Sequence, residues 1–197
     1  AHSPELMLSH KPDMANELLA AAGSTAADFS SVSWLHTHGI ADPAILEVLR
    51  DSWSRTLGVE LAPQVLRWRD YQSRVDAGVP DLLIGTWTAD FFDPDNFLRA
   101  VFHSTTGLNE PKWKNTEFDM LVDTAASRTD QSGRMNFYRA ADRVLVVDEA
   151  VIVPLCYGRE PVLVKPWVES FPRTASWLRH MKNCRVQKVK RSGGFDN

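Results

Sequence analysis

The sequence predicts an α/β domain built on a parallel sheet with flanking helices, and two features carry that expectation. Segments with helical periodicity, opened by Asp or Pro and stopped by Gly, alternate with short β-rich runs through residue 87, the rhythm of βαβ units. Asp81 to Trp87 is a near-continuous apolar run of strand length.

The elements follow in chain order. Residues 12–22 read as a short helix, with Pro12 in the first turn, apolar Met14, Leu18, Leu19 and Ala22, and Gly23 as its stop. A strand is expected at about 29–36. The next helix has Asp42 as N-cap and Pro43 at its first position; Ile45, Leu49, Trp53 and Leu57 recur every four residues, and Gly58 closes it. A strand at 59–66, an amphipathic segment from Trp68 through Tyr71 and Val75 to Gly78, and a strand at 81–87 complete the parallel pattern. Beyond it, Asp90 to Asn96 is turn-rich and leads into a short helix through Phe97, Leu98, Val101 and Phe102. Helix 115–128, capped by Asn115 or Thr116, and helix 130–149, capped by Asp130, are expected to pack side by side. Runs 151–157 and 161–165 read as strands, Pro154 arguing for an edge or bulge in the first. The end of the chain, 188–197, is polar and without periodicity, a loose tail.

Composition excludes several classes. A net charge of -3, with both signs spread along the chain, offers no basic face for nucleic acid. No run approaches the about 20 apolar residues of a membrane span. Residues 1–11 lack the basic and apolar regions of a signal peptide, so either the protein is intracellular or its beginning was removed. Two Cys, at 156 and 184, make neither a disulfide framework nor a metal knuckle, and Cys156 reads as an inert buried thiol within an apolar strand. The 7 Trp are unusual. Indole suits a pocket that needs apolar area with one hydrogen-bond donor.

Few constellations carry chemistry. His36 and His38, two apart on a strand, could face one metal, but no third ligand is near in sequence and His103 and His180 add none. No metal and no cofactor is expected. Asp93-Pro-Asp-Asn96 has the form of a turn whose side chains cap the following helix, with spacing wrong for a calcium loop. Asp90 is different. It stands just beyond the carboxyl end of an apolar strand, three residues after Trp87, where open α/β sheets place ligands, and a partly desolvated carboxylate there would invite a cation. Trp53 has helix-face spacing and belongs to the core, whereas Trp34, Trp68 and Trp87 fall at strand ends that converge on one rim. There is no Gly-x-Ser-x-Gly elbow and no phosphate-cradling Gly-rich loop. An enzyme is not expected.

Gly85-Thr-Trp-Thr-Ala-Asp-Phe-Phe-Asp-Pro-Asp-Asn-Phe-Leu98 resembles the Gly-Trp-x-Ala-Asp-Tyr-x-Asp-Pro-x-x-Phe-Leu stretch of the bacterial oligopeptide and dipeptide binders that feed ABC importers, the family 5 extracellular solute-binding proteins. The order of further segments agrees: Trp53 and Leu57-Gly-Val59, Arg67-Trp-Arg-Asp-Tyr71, Asn109 with Trp113, Asn115, Glu117, Phe118 and Asp119, then Arg134 and Tyr138, Ala150-Val-Ile-Val-Pro-Leu155 and Leu163-Val-Lys-Pro-Trp167. The similarity runs from about residue 12 to 186 and corresponds to the carboxyl-terminal part of such proteins. It implies one lobe of a two-lobed periplasmic-binding-protein-like fold of the class C type, an α/β lobe with a mixed sheet and flanking helices. Residues 1–183 would be the ligand-binding lobe, and 184–197 a strand returning to the missing lobe plus a tail. It also implies a monomer in the periplasm, or lipid-anchored on the outer face of the cytoplasmic membrane, that hands its ligand to permease subunits. By the same resemblance Asp90 receives the α-ammonium of a bound peptide, and Thr86, Trp87 and Thr88 lie in the strand that pairs with the peptide backbone. Trp68 and Trp87 flank side-chain pockets, and Tyr157 joins the ligand-binding set. Some oligopeptide binders hold the ligand's carboxylate with Arg residues in the segment between the two Trp. Here the position three before Trp87 is Ile84, which cannot pair with a carboxylate, and the nearest Arg is Arg74. Two other readings stay open: capture of a metal chelate or haem with His36, His38 or His103 as ligands, and a hydrolase using Asp90 and a His.

Overall fold

The computed structural model describes residues 9–78, 80–159, 161–173 and 179–187. The first helix, α1 (Pro12–Ala21), has Pro at its start, and the chain turns at Gly23 with φ +67°. The expected strand at 29–36 is shorter and later. Residues 26–31 form a 3-10 turn held by a capping box, in which Asp28 accepts from the Thr25 backbone N–H at 2.7 Å. Strand β1 (Trp34–Thr37) follows, and all four of its residues are buried.

Helix α2 (Pro43–Leu57) has the expected bounds. The Asp42 carboxylate accepts from Ala44 N–H at 2.9 Å, and Gly58, in the left-handed conformation at φ 67°, donates back to Ser54 and Trp53 carbonyls. Strand β2 is only Gln64–Leu66, helix α3 is Trp68–Ala77, and β3 is only Leu82–Leu83. The three strands run parallel in the order β2-β1-β3, with Leu35 opposite both Gln64 and Leu83. Asp81 secures the entry to β3: its carboxylate accepts from the Ser33 N–H at 2.8 Å and the Ser33 hydroxyl at 2.7 Å.

Strand alternation explains the layers. Trp34 points to one face and packs with Leu46, Val59 and Leu61, its ring 5.3 Å edge-on from Trp53; Leu35 points to the other and packs with Tyr71 and Val75 of α3. Trp34 therefore does not join a ligand rim. It lies at the amino end of β1, 3% exposed, because its ring fills the space beneath α2.

The second half is helical. Short helices α4 (Pro94–Phe97) and α5 (Arg99–Phe102) lead to the pair α6 (Thr116–Ser127) and α7 (Gln131–Arg143). Asn115 caps α6 through the Phe118 N–H at 2.9 Å, and Asp130 caps α7 through the Gly133 N–H at 2.9 Å. Phe118, Val122 and Ala125 interlock with Tyr138, Ala141 and Leu145, the best-buried cluster among the described residues. The helix expected to reach 149 instead leaves α-geometry: residues 144–148 form a wide π-turn closed by Glu149 N–H to the Val144 carbonyl at 2.9 Å.

The later β-rich runs do not form strands: residues 151–159 and 161–165 have no regular structure, and Cys156 is exposed rather than buried. Pro154 and Pro161 each remove an amide donor from these runs, which weakens any ladder they could join. Both cysteines are free. Strand β4 (Val168–Glu169) pairs antiparallel with β5 (Arg185–Val186), and the expected tail at 188–197 lies outside the described residues. Among the described residues no helix is long and apolar enough to cross a membrane.

Candidate ligand-binding site

Parallel strands deliver their loops to one end of the sheet. In this fold the carboxyl ends of β1, β2 and β3 lead respectively to His38, to Trp68 at the start of α3, and to the stretch 84–93. The order β2-β1-β3 reverses direction at β1, since β2 lies on one side of it and β3 on the other. Such a reversal opens a crevice beyond the strand ends.

Thr86, Trp87, Thr88 and Asp90 all lie on that end and are exposed, but none is in a strand. Pairing of β3 with β1 stops at Leu83; one further bond, from Ile84 N–H to the Leu35 carbonyl at 3.2 Å, closes the ladder. The long apolar run reads as a strand throughout because sequence periodicity does not register where a neighbouring strand ends: β1 passes into a turn at His38, so residues after Ile84 have no partner on that side. Asp90 is correspondingly in a solvated bend, not in the desolvated setting expected of a strand terminus.

Trp87 and Asp90 are brought together by a residue whose sequence context marks it only as part of a cap. The Asn96 side-chain oxygen accepts from the Trp87 indole N–H at 2.8 Å and from the Asp90 backbone N–H at 3.1 Å, while Asn96 itself is 2% exposed. Behind it, Asp93 behaves as expected, capping α4 through the Asp95 N–H at 2.9 Å. The same carboxylate also receives both terminal nitrogens of Arg134, at 2.5 and 2.8 Å. Tyr138 donates to Asp95 at 2.9 Å and accepts from Arg134 at 3.1 Å. Burial opposes ionisation of Asp93, yet the Arg134 fork and the Asp95 N–H together hold its carboxyl below the ordinary value. Burial and the neighbouring Asp95 push the Tyr138 phenol well up, so it stays a neutral donor. A hint exists in the sequence: Arg134 and Tyr138, four apart on one helix face, complement an acidic pair two apart.

The remaining expected site residues are more dispersed. Trp68 is 59% exposed and stacks on Tyr71 with centroids 5.7 Å apart, which presents its other face outward. Tyr157 is 74% exposed within the irregular stretch 151–159.

The histidines offered for metal chemistry are mostly withdrawn. His36 is buried on β1, with burial and His38 both disfavouring its charged form. His103 is also buried; its Nδ1 accepts from the Thr105 and Thr106 N–H groups at 3.2 and 3.3 Å, and Nε2 lies 3.3 Å from Asp123. Among the described residues no cluster of three or more His, Cys, Asp or Glu is placed to hold a metal ion.

Comparison with known proteins places this geometry in a family. The periplasmic oligopeptide-binding protein OppA of Escherichia coli is 28% identical over 171 residues, 85% of this chain and 31% of that protein. Heme-binding protein A of Haemophilus influenzae is 28% identical over 167 residues, 82% of this chain and 30% of that protein. The chain thus spans less than a third of these curated relatives. The solved structure of the murein tripeptide binding protein MppA of Escherichia coli superposes with a TM-score of 0.80 at 23% identity, over 96% of this chain and 37% of that one, which shows a shared fold. The family model for bacterial extracellular solute-binding proteins, family 5 Middle, matches residues 2–109, which include the sheet, Trp68, Trp87 and Asp90, and the chain belongs to that family.

Proposed function

We propose that this chain is the ligand-binding lobe of a peptide-binding protein that delivers its ligand to the membrane permease of an ABC importer, by capture and lobe closure without covalent chemistry. The observation that carries the reading is the stretch 84–93: an exposed segment beyond the edge strand of a parallel sheet, holding Trp87 and Asp90 on one buried Asn. Asp90 receives the peptide's α-ammonium; Thr86 to Thr88 run along its backbone, and Trp68 and Tyr157 border its side chains. A charge-assisted bond to an ammonium contributes about 1.5–3 kcal/mol, and main-chain pairing adds affinity without reading sequence. The same reading gives the compartment: the periplasm, or the outer face of the cytoplasmic membrane. The names of OppA and MppA support a peptide ligand. A haem reading has the name of one relative behind it, but the buried positions of His36 and His103 disfavour it.

Calorimetry on the complete protein tests this. Asp90→Ala should cost at least about tenfold in affinity for peptides with a free amino terminus and little for their N-acetylated forms. Equal losses for the two sets, or none, would remove Asp90 as the ammonium anchor.

A further inference from the structure

We propose that Asn96 is the positioning residue of this site, and that its amide oxygen fixes Trp87 as a purely apolar and aromatic contact by occupying the indole's sole donor. The inference rests on the ligand-binding reading of Trp87 and Asp90. Two N–H donors, at 2.8 and 3.1 Å, converge on one terminal atom of the Asn96 side chain, so that atom is the acceptor Oδ1. A single oxygen therefore sets the indole plane of Trp87 and the backbone position from which the Asp90 side chain departs. Asn96 has little freedom to yield. It is 2% exposed in the one-turn helix α4, which the Asp93 carboxylate caps through the Asp95 N–H, and the side chains of Asp93 and Asp95 are held in turn by Arg134 and Tyr138 of α7.

The consequence is chemical. Trp87 is 37% exposed but its N–H is turned inward, so what it offers a ligand is ring face and ring edge. The ligand group opposite Trp87 is selected for apolar area, aromatic stacking or a cation above the ring, and not for a hydrogen-bond acceptor. Asn96→Leu keeps the volume while removing the acceptor; Asn96→Asp keeps the acceptor.

The experiment uses the complete protein, unliganded and with trialanine. In the unsubstituted protein the Trp87 indole proton should exchange with solvent at least about tenfold more slowly than that of N-acetyltryptophanamide. Asn96→Leu should abolish the difference and lower trialanine affinity at least about tenfold, while Asn96→Asp keeps slow exchange and an affinity within about threefold. A fast Trp87 proton in the unsubstituted protein overturns the assignment without any variant, and so does an Asn96→Leu protein that folds and binds trialanine normally. If the unsubstituted protein binds no trialanine, the peptide reading falls, and the exchange comparison alone decides the role of Asn96.

Discussion

Residues 84–92 and residues 93–98 are adjacent in sequence and opposite in how they use polar groups. In the second stretch the side chains of Asp93, Asp95 and Asn96 are directed at other parts of the protein: Arg134, Tyr138, Trp87 and the Asp90 backbone. In the first, Thr86, Thr88, Phe91 and Phe92 are exposed, and Trp87 exposes ring surface while only its indole N–H turns inward to Asn96. A surface that must meet a ligand gains from rigidity it cannot supply itself, because groups that hold the loop are occupied and closed to the ligand. The exposed stretch and the stretch that holds it in place are neighbours in the chain, with α7 as the support.

Substitutions test that separation, from the largest expected effect to the smallest. Phe118 is fully buried where α6 meets α7. Phe118→Ala should cost about 3–5 kcal/mol in urea unfolding, and a cost under about 1 kcal/mol would mean that α7 is not the support described. Arg134→Ala leaves the Asp93 carboxylate, 24% exposed, without its partner, and should cost about 2 kcal/mol at pH 7. Because Asp93 is held below its unfolded value, that contribution is present above about pH 4 and is lost as pH falls through the lower folded value. The Tm gap between Arg134→Ala and the unsubstituted protein should therefore narrow between about pH 5 and about pH 2; a gap constant with pH would assign the loss to packing of the Arg stem. Asn115→Ala removes the α6 cap and should cost about 1 kcal/mol, measurable as a lower denaturation midpoint with an unchanged slope. At the other extreme, Trp68→Ala and Thr88→Ala should each stay within about 0.5 kcal/mol. A larger loss at Thr88 would place the first stretch among the structural elements and erase the contrast.

The sequence makes the helices legible and the strands only partly so. Asp42, Pro43 and Gly58 mark both ends of α2 to the residue, and Asn115 and Asp130 mark the starts of α6 and α7, because caps act through neighbouring backbone groups. Strand lengths are set by partners elsewhere in the chain. Leu82 and Leu83 pair with β1 while Thr86 to Thr88 do not, yet nothing in the residues from Asp81 to Trp87 marks that limit. The β-rich 151–157 run shows the same dependence. Asp90 and Trp87 are recognisable from position and resemblance, and the capping by Asp93 from its Asp-Pro-Asp pattern. The function of Asn96 is not, since it depends on two donors six and nine residues away that meet only once the turn is formed. Trp34 escapes a sequence reading for a related reason: lying at a strand end does not say which end.

The π-turn at residues 144–148 sets the phase of the chain beyond it. An α-helix advances about 100° per residue, so the extra residue in a wide turn moves every later residue out of step with the stripe that α7 lays against α6. Val144, Leu145 and Val146 are buried in succession there, an arc broader than the stripe itself. The chain then leaves at Ala150, with φ +48°, and Val151 N–H closes onto the Leu145 carbonyl. The turn works as an angular offset between two parts of the protein: the helix pair behind the site, and the segment that carries Cys156 and Tyr157. Removing one residue from it would return α7 to an even pitch and swing that segment through roughly a quarter-turn, leaving each part's local sequence intact and changing only the direction in which one faces the other.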